Sequence, residues 1–107
     1  MATSTAAQVG ERVVYLNGEI IAESAASLSI FDRGFIWGDA VYDAGRTFEG
    51  SPLRIWEHVQ RLYRSMKYAR LDIVMTAEAF HEKVLEVIRP NATLLAASGD
   101  YLCRMHV

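Results

Sequence analysis

Residues 40–70 read AVYDAGRTFEGSPLRIWEHVQRLYRSMKYAR, and the fold class turns on a change of period inside them. The first part predicts a strand over residues 40–48, a turn at Glu49-Gly50 and a return through Leu53 and Arg54. From Ile55 the spacing becomes helical. Val59, Leu62, Tyr63, Met66 and Ala69 recur at three- and four-residue steps, which puts them on one stripe of a helix over residues 55–70.

Upstream, residues 12–23 predict a hairpin: Val13, Val14 and Tyr15 precede Asn17-Gly18, and Ile20 and Ile21 follow it. Asn-Gly suits a two-residue turn because both positions need positive φ. Residues 24–29 are small and polar. Residues 30–43 read as an aromatic-rich loop punctuated by Gly34 and Gly38. Downstream, a second helix is expected over residues 77–89. Thr76 serves as its N-cap, Glu78 suits the positive helix end, and Phe80, Val84, Val87 and Ile88 form the inner face. Pro90 is expected to end it, and residues 91–99 to connect it to a last strand. In that strand Tyr101, Cys103, Met105 and Val107 alternate with Leu102, Arg104 and His106. Two hairpins, two helices and a strand make an α+β fold, with two helices packed on a mostly antiparallel sheet.

The 107 residues amount to about one domain, and 51% apolar with 22% charged is a globular composition. A net charge of −2, with no basic run, predicts neither nucleic-acid nor membrane-surface binding. Cys103 is the single cysteine, which excludes an intrachain disulfide and a cysteine-based zinc site. His58, His81 and His106 show no metal-ligand spacing. His58 reads as a helix-start or packing histidine, and His81 as lying on the exposed side of the second helix. With no signal peptide and no membrane-length apolar run, the expected location is the cytoplasm. Residues 1–11 read as a loose tail. The last strand stops at Val107 in mid-pattern, so a chain that continues, or has been cut, is expected.

Three blocks then carry a family resemblance: Val14-Tyr15-Leu16-Asn17-Gly18-Glu19; Asp32-Arg33-Gly34-Phe35 with Gly38-Asp39-Ala40-Val41-Tyr42-Asp43; and Glu57-His58-Val59-Gln60-Arg61-Leu62, with Ser65 after it. Together they resemble class IV (fold type IV) pyridoxal-phosphate aminotransferases. The resemblance implies that residues 12–107 are the small N-terminal domain, truncated before the large catalytic domain. It also implies pyridoxal 5′-phosphate in the cleft between the two, and a homodimer or a companion chain that carries the second domain. An amino donor and a 2-oxo acid are the implied substrates, branched-chain amino acids first, with D-amino acid, (R)-amine and aminodeoxychorismate-lyase relatives also open.

By the same resemblance Arg61 holds the cofactor phosphate, a task that suits a permanently charged fork of donors. Read from the helix alone, it is an arginine flanking the buried stripe and able to bridge to a carboxylate. Tyr42 matches a substrate-pocket aromatic, against the plainer reading of a core tyrosine. Trp37 stands at another pocket position, or packs on Phe35 or Ile36. Arg104 faces the pocket in one register of the last strand, against the plainer reading of an exposed edge-strand arginine. A one-residue shift puts Cys103 there instead. Asp32 and Arg33 read as shaping their loop rather than as catalytic. Ala40 and Asp43 depart from the family's usual glycine and glutamate. Lys67 and Lys83, on amphipathic helices, do not match the lysine that links covalently to the cofactor, so no catalytic residue is expected within the chain. The competing class is a stand-alone domain that binds a protein partner through the exposed edge of its terminal strand.

Overall fold

A computed structural model describes residues 11–95 and 99–107. The chain opens with β1 (Val13–Leu16) and β2 (Glu19–Ala22), an antiparallel hairpin in which Leu16 faces Glu19. Asn17 and Gly18 take φ of 50° and 95°, as the Asn-Gly pair predicts for its turn. The stretch read as a loop contains a short helix, α1 (Arg33–Trp37). The Asp32 carboxylate accepts from the Gly34 N–H at 2.8 Å, and Gly38 closes the helix with a left-handed φ of 67°. An Asp cap and a Gly stop on either side of five residues can bound a helix too short to show a period.

β3 (Tyr42–Phe48) turns at Glu49-Gly50 into β4 (Ser51–Leu53) and pairs on its other side with β5 (Leu102–His106). Both pairings are antiparallel, and Tyr42 stands opposite His106. The α+β expectation holds, with the strands divided between a two-stranded and a three-stranded sheet. On β3, Asp43, Gly45 and Thr47 point inward and are buried, while Tyr42, Arg46 and Phe48 point outward.

α2 (Ile55–Ala69) lies on the inward face. Its stripe of Ile55, Val59, Leu62 and Met66 is buried with Met105 of β5 and with Val84 and Ile88 of α3 (Ala77–Leu95). Gly45 sets how closely helix and sheet approach, since a Cβ there would meet Ile55 Cδ1 at 2.5 Å and His58 Cδ2 at 3.4 Å. Thr76 caps α3 by accepting from the Ala79 N–H at 3.1 Å.

Pro90 does not end α3, which runs through it to Leu95. Proline removes one N–H and crowds the preceding turn, a cost of about 3 kcal/mol in a helix interior. The compensation is visible one residue on. The buried Asn91 amide accepts from the Val13 N–H at 2.9 Å and donates to the carbonyls of Val13 at 2.9 Å and Val87 at 2.7 Å. Each net hydrogen bond contributes about 1 kcal/mol, so the tie to β1 offsets much of the strain. The first half of the expected connector is therefore helical. Residues 96–98, like 1–10, lie outside the described residues. His81 is also not on an exposed face, because it is half-buried against Trp56 with ring centroids 5.3 Å apart.

Candidate functional site

Two clusters of polar chemistry sit on opposite sides of β3, because adjacent residues 42 and 43 project to opposite faces. On the inward side Asp43 is 5% exposed and is held by two residues of α2. Arg61 donates through Nε to Oδ2 at 2.7 Å and through Nη2 to Oδ1 at 3.0 Å, while His58 Nδ1 lies 2.8 Å from Oδ1. The Ala44 N–H adds a bond at 2.8 Å. Residues 58 and 61 share a helix face by their three-residue spacing, which brings both to one carboxylate. The carboxylate bridge that the helix alone allowed for Arg61 is thus present. Yet its side chain is 59% exposed, and Nη1 has no partner among the described residues. Asp43 fixes one edge of the guanidinium and leaves the other edge facing solvent.

Arg61 holds the Asp43 carboxyl well below the usual carboxylate range, helped by His58 and the Ala44 N–H and opposed by burial. A carboxylate depressed by folding stabilises the fold fully above its unfolded pKa of about 3.9, and loses that contribution as pH falls toward the folded value. Melting temperature should therefore drop from pH 5 downward in the native chain. In Asp43→Asn it should start lower at pH 7 and fall less over the same range. Parallel pH profiles for the two proteins would rule out Asp43 as a source of the acid sensitivity.

On the outward face Tyr42 stacks on His106, with centroids 5.3 Å apart and planes at 18°. The Arg104 guanidinium sits 4.8 Å over the Tyr42 ring, and its Nε donates to His106 Nε2 at 3.2 Å. Tyr42 is 60% exposed and no core residue. In the last strand the outward parity falls to Arg104, and Cys103 faces inward beside the core. Burial pushes the Cys103 thiol up, which leaves it a poor nucleophile.

Trp37 stands apart. It is 77% exposed at the end of α1 and joins none of the ring contacts among the described residues. Phe31 and Phe35 are exposed beside it in the chain, so α1 presents apolar surface rather than filling the core. Among the predicted site residues, then, the fold gathers Tyr42 and Arg104, and separates them from Arg61 and from Trp37. Sequence reading missed three partners: Asp43 and His58 around Arg61, and His106 beside Arg104. The available signals were the i,i+3 spacing of His58 and Arg61, the inward parity of Asp43, and the i,i+2 spacing of Arg104 and His106. An open depression of about 420 Å³ between Asp32, Arg33, Asp39, Arg70 and Asp72 mixes both signs of charge and includes none of the predicted site residues. Among the described residues, no group of three or more His, Cys, Asp or Glu is placed to hold a metal ion. None of their helices is long and apolar enough to cross a membrane.

Comparison with known proteins decides the family. The chain is 40% identical over 78 residues, 73% of its length, to a protein assigned as a branched-chain-amino-acid aminotransferase in Methanocaldococcus jannaschii. It is 35% identical over 78 residues to the D-alanine aminotransferase of Staphylococcus haemolyticus. The chain belongs to the fold type IV aminotransferases. Its architecture matches the N-terminal domain of that family. The branched-chain aminotransferase of Thermoproteus uzoniensis superposes with a TM-score of 0.77 at 26% identity, over 90% of this chain and 32% of that one. A second branched-chain amino acid aminotransferase, from T.th. and in complex with N-(5′-phosphopyridoxyl)-L-glutamate, superposes with a TM-score of 0.75 at 26% identity, over 92% of this chain and 33% of that one. No protein-family model matches the chain. It spans 27% of the archaeal relative's length and 28% of the staphylococcal one's.

Proposed function

We propose that this aminotransferase-family chain is the small domain of a pyridoxal-phosphate enzyme that moves an amino group between an amino acid, branched-chain first, and a 2-oxo acid. The observation that carries this is the 78-residue match, at 40% identity, to a relative assigned to that activity. Residues 12–107 form the small domain, and a larger domain, on the same chain or a companion chain in a dimer, completes the cleft. Its location is the cytoplasm. The matched segment makes up only 27% of the archaeal relative, which supports a second domain.

Within the cleft Arg61 holds the cofactor phosphate. Its fit rests on the half-open fork: Asp43 engages Nε and Nη2, and the exposed Nη1 edge is left to an anion. A guanidinium already oriented by a buried carboxylate loses little freedom on gripping a phosphate. Pyridoxal 5′-phosphate, when bound, supplies a carbonyl that carries the amino group and a ring that draws off electron density. Tyr42 and Arg104 line the substrate side, the ring offering an apolar face and the guanidinium a carboxylate partner. Trp37, apart from both clusters at the exposed end of α1, is the further pocket residue proposed from family likeness. Neither lysine serves as the covalent anchor. Lys67 is exposed on α2, and Lys83 lies 3.4 Å from Glu86 on α3. The chain alone is therefore inactive, and the anchoring lysine lies in the second domain.

The test is amino transfer by the full-length protein. Incubated with L-leucine and 2-oxoglutarate, it should form glutamate and show the visible absorption of bound cofactor. D-alanine as the better donor would reassign the substrate, and no bound cofactor would refute the proposal. The competing partner-binding reading has one supporting feature, since β5 is an edge strand of its sheet. It predicts a mature protein that ends at Val107 with no companion chain, which an intact-mass measurement detects.

A further inference from the structure

Alternation fixes which face of β5 points outward, but not where along β3 the strand comes to rest. A slide by one residue would turn Arg104 and His106 toward the core, whereas a slide by two leaves every side chain on its own face. The other strand pairs escape that ambiguity, because a two-residue turn joins each of them. Asn17-Gly18 sets Leu16 against Glu19, and Glu49-Gly50 sets Phe48 against Ser51. β5 reaches β3 from α3, without such a turn. At its leading end stands Asp100. The Asp100 carboxylate accepts from Thr47 Oγ1 at 2.7 Å, from the Gly50 N–H at 3.0 Å and from the Glu49 N–H at 3.2 Å. Glu49 and Gly50 both have positive φ, and their consecutive N–H groups turn to this one anion. Tyr101 completes the join: its N–H donates to Thr47 Oγ1 at 3.0 Å, and its carbonyl accepts from the Thr47 N–H at 3.0 Å. Thr47 is only 2% exposed, so its hydroxyl depends on these partners.

We propose that Asp100 is the register pin of β5, a positioning residue that stands in for the missing turn and so decides where Arg104 lies along β3. In the observed register Arg104 is opposite Ala44, with its guanidinium 4.8 Å from the centre of the Tyr42 ring. A two-residue slide in one direction would set Arg104 opposite Arg46, and like charges face to face oppose it. The slide in the other direction would set Arg104 opposite Tyr42 itself, displaced by about 7 Å along the strand. The alternation does little against this second slide. Tyr101, Cys103, Met105 and Val107 all face inward, and each is apolar enough to take the next one's place. The Asp100 carboxylate does oppose it, because the slide would carry it away from the Glu49 and Gly50 N–H groups and from Thr47. The importance of placing Arg104 rests on reading this face as the substrate side. The pin itself is independent of that reading.

Cross-strand disulfides in the full-length protein, with Cys103→Ala as background, read the register directly. Residues 41 and 107 exchange both backbone hydrogen bonds, so 46 and 102 face each other as a non-hydrogen-bonded pair. Such a pair lies about 4.5 Å apart at Cα, within reach of a disulfide. Arg46→Cys with Leu102→Cys should therefore oxidise to an internal bridge, identified by peptide mass. Ala44→Cys with Leu102→Cys, diagonal neighbours about 7–8 Å apart, should not. Adding Asp100→Ala should diminish the first bridge and create the second. Asp100→Asn keeps an acceptor oxygen for the turn N–H groups and should restore the native pattern. In amino transfer, Asp100→Ala should raise KM for the amino donor by about three- to tenfold with kcat retained, because substrate draws the strand back from the slid population. Asp100→Asn should stay near native in both. Should Asp100→Ala fail to fold, Thr47→Val, which removes only the shared hydroxyl, carries the same bridge test. An unchanged bridge pattern in the folded variant, even with a lowered melting temperature, overturns the pin. A changed pattern in a protein that transfers no amino group supports the pin and strikes the reading of this face instead.

Discussion

Full-length protein carrying Arg61→Ala is expected to lose its cofactor on dialysis, with a dissociation constant raised about 10- to 100-fold, the range for losing hydrogen bonds to a charged group. The native guanidinium is half committed: Asp43 takes Nε and Nη2, and Nη1 is open. Alanine removes the open edge and orphans Asp43 as well, which keeps only His58 and the Ala44 N–H. The melting temperature should therefore fall too, and the two effects must be separated. Asp43→Asn leaves the guanidinium in place while removing its buried anchor. It should lower melting temperature while retaining more cofactor than Arg61→Ala. If both variants lost cofactor equally, general loosening of α2 against β3 would account for the result, and the phosphate role of Arg61 would be unsupported.

Leu62→Ala should produce the largest loss of stability of any single truncation. Leu62 is 0% exposed, at the centre of the stripe that packs α2 against β5 and α3. Leucine-to-alanine changes at such sites cost about 2–5 kcal/mol, through lost burial plus the cavity left behind. For a domain of this size each kcal/mol moves the melting temperature by roughly 4–8 °C, so a fall of at least about 10 °C is expected. Tyr68→Ala, on the exposed side of the same helix, serves as the control and should shift it little. A Leu62→Ala melt within about 2 °C of native would contradict the placement of the core.

The period change at Ile55 and the two turns were legible in the sequence because each rests on local rules: side-chain spacing for α2, positive φ for Asn17-Gly18 and Glu49-Gly50. Where tertiary contacts decide, local rules failed. Pro90 is a helix stop by its own chemistry, but Asn91 pairs with the backbone of Val13, far away in sequence, and carries α3 onward. α1 escaped notice because five residues hold little more than one turn, and its cap reads equally as a loop signal. The site shows the same division. Arg61, Tyr42 and Arg104 were singled out by family likeness. Asp43 and His58 were passed over, because their partnership depends on how closely Gly45 lets α2 approach β3. His106 needed the register that sets it opposite Tyr42, which no single strand reveals.

The separation of Arg61 from Tyr42 and Arg104 across β3 makes cofactor retention and carboxylate recognition separately testable. Arg61 variants should act mainly on the first, and Arg104 variants mainly on the second. What joins them is the identity of the anion at Arg61. The most direct measurement is a crystal structure of the full-length protein with pyridoxal 5′-phosphate. A phosphate oxygen should lie about 2.7–2.9 Å from Arg61 Nη1, the usual charge-assisted distance, with Nε still on Asp43. A phosphate bound elsewhere, with the Arg61 fork reaching only Asp43 and bulk water, would contradict the assignment.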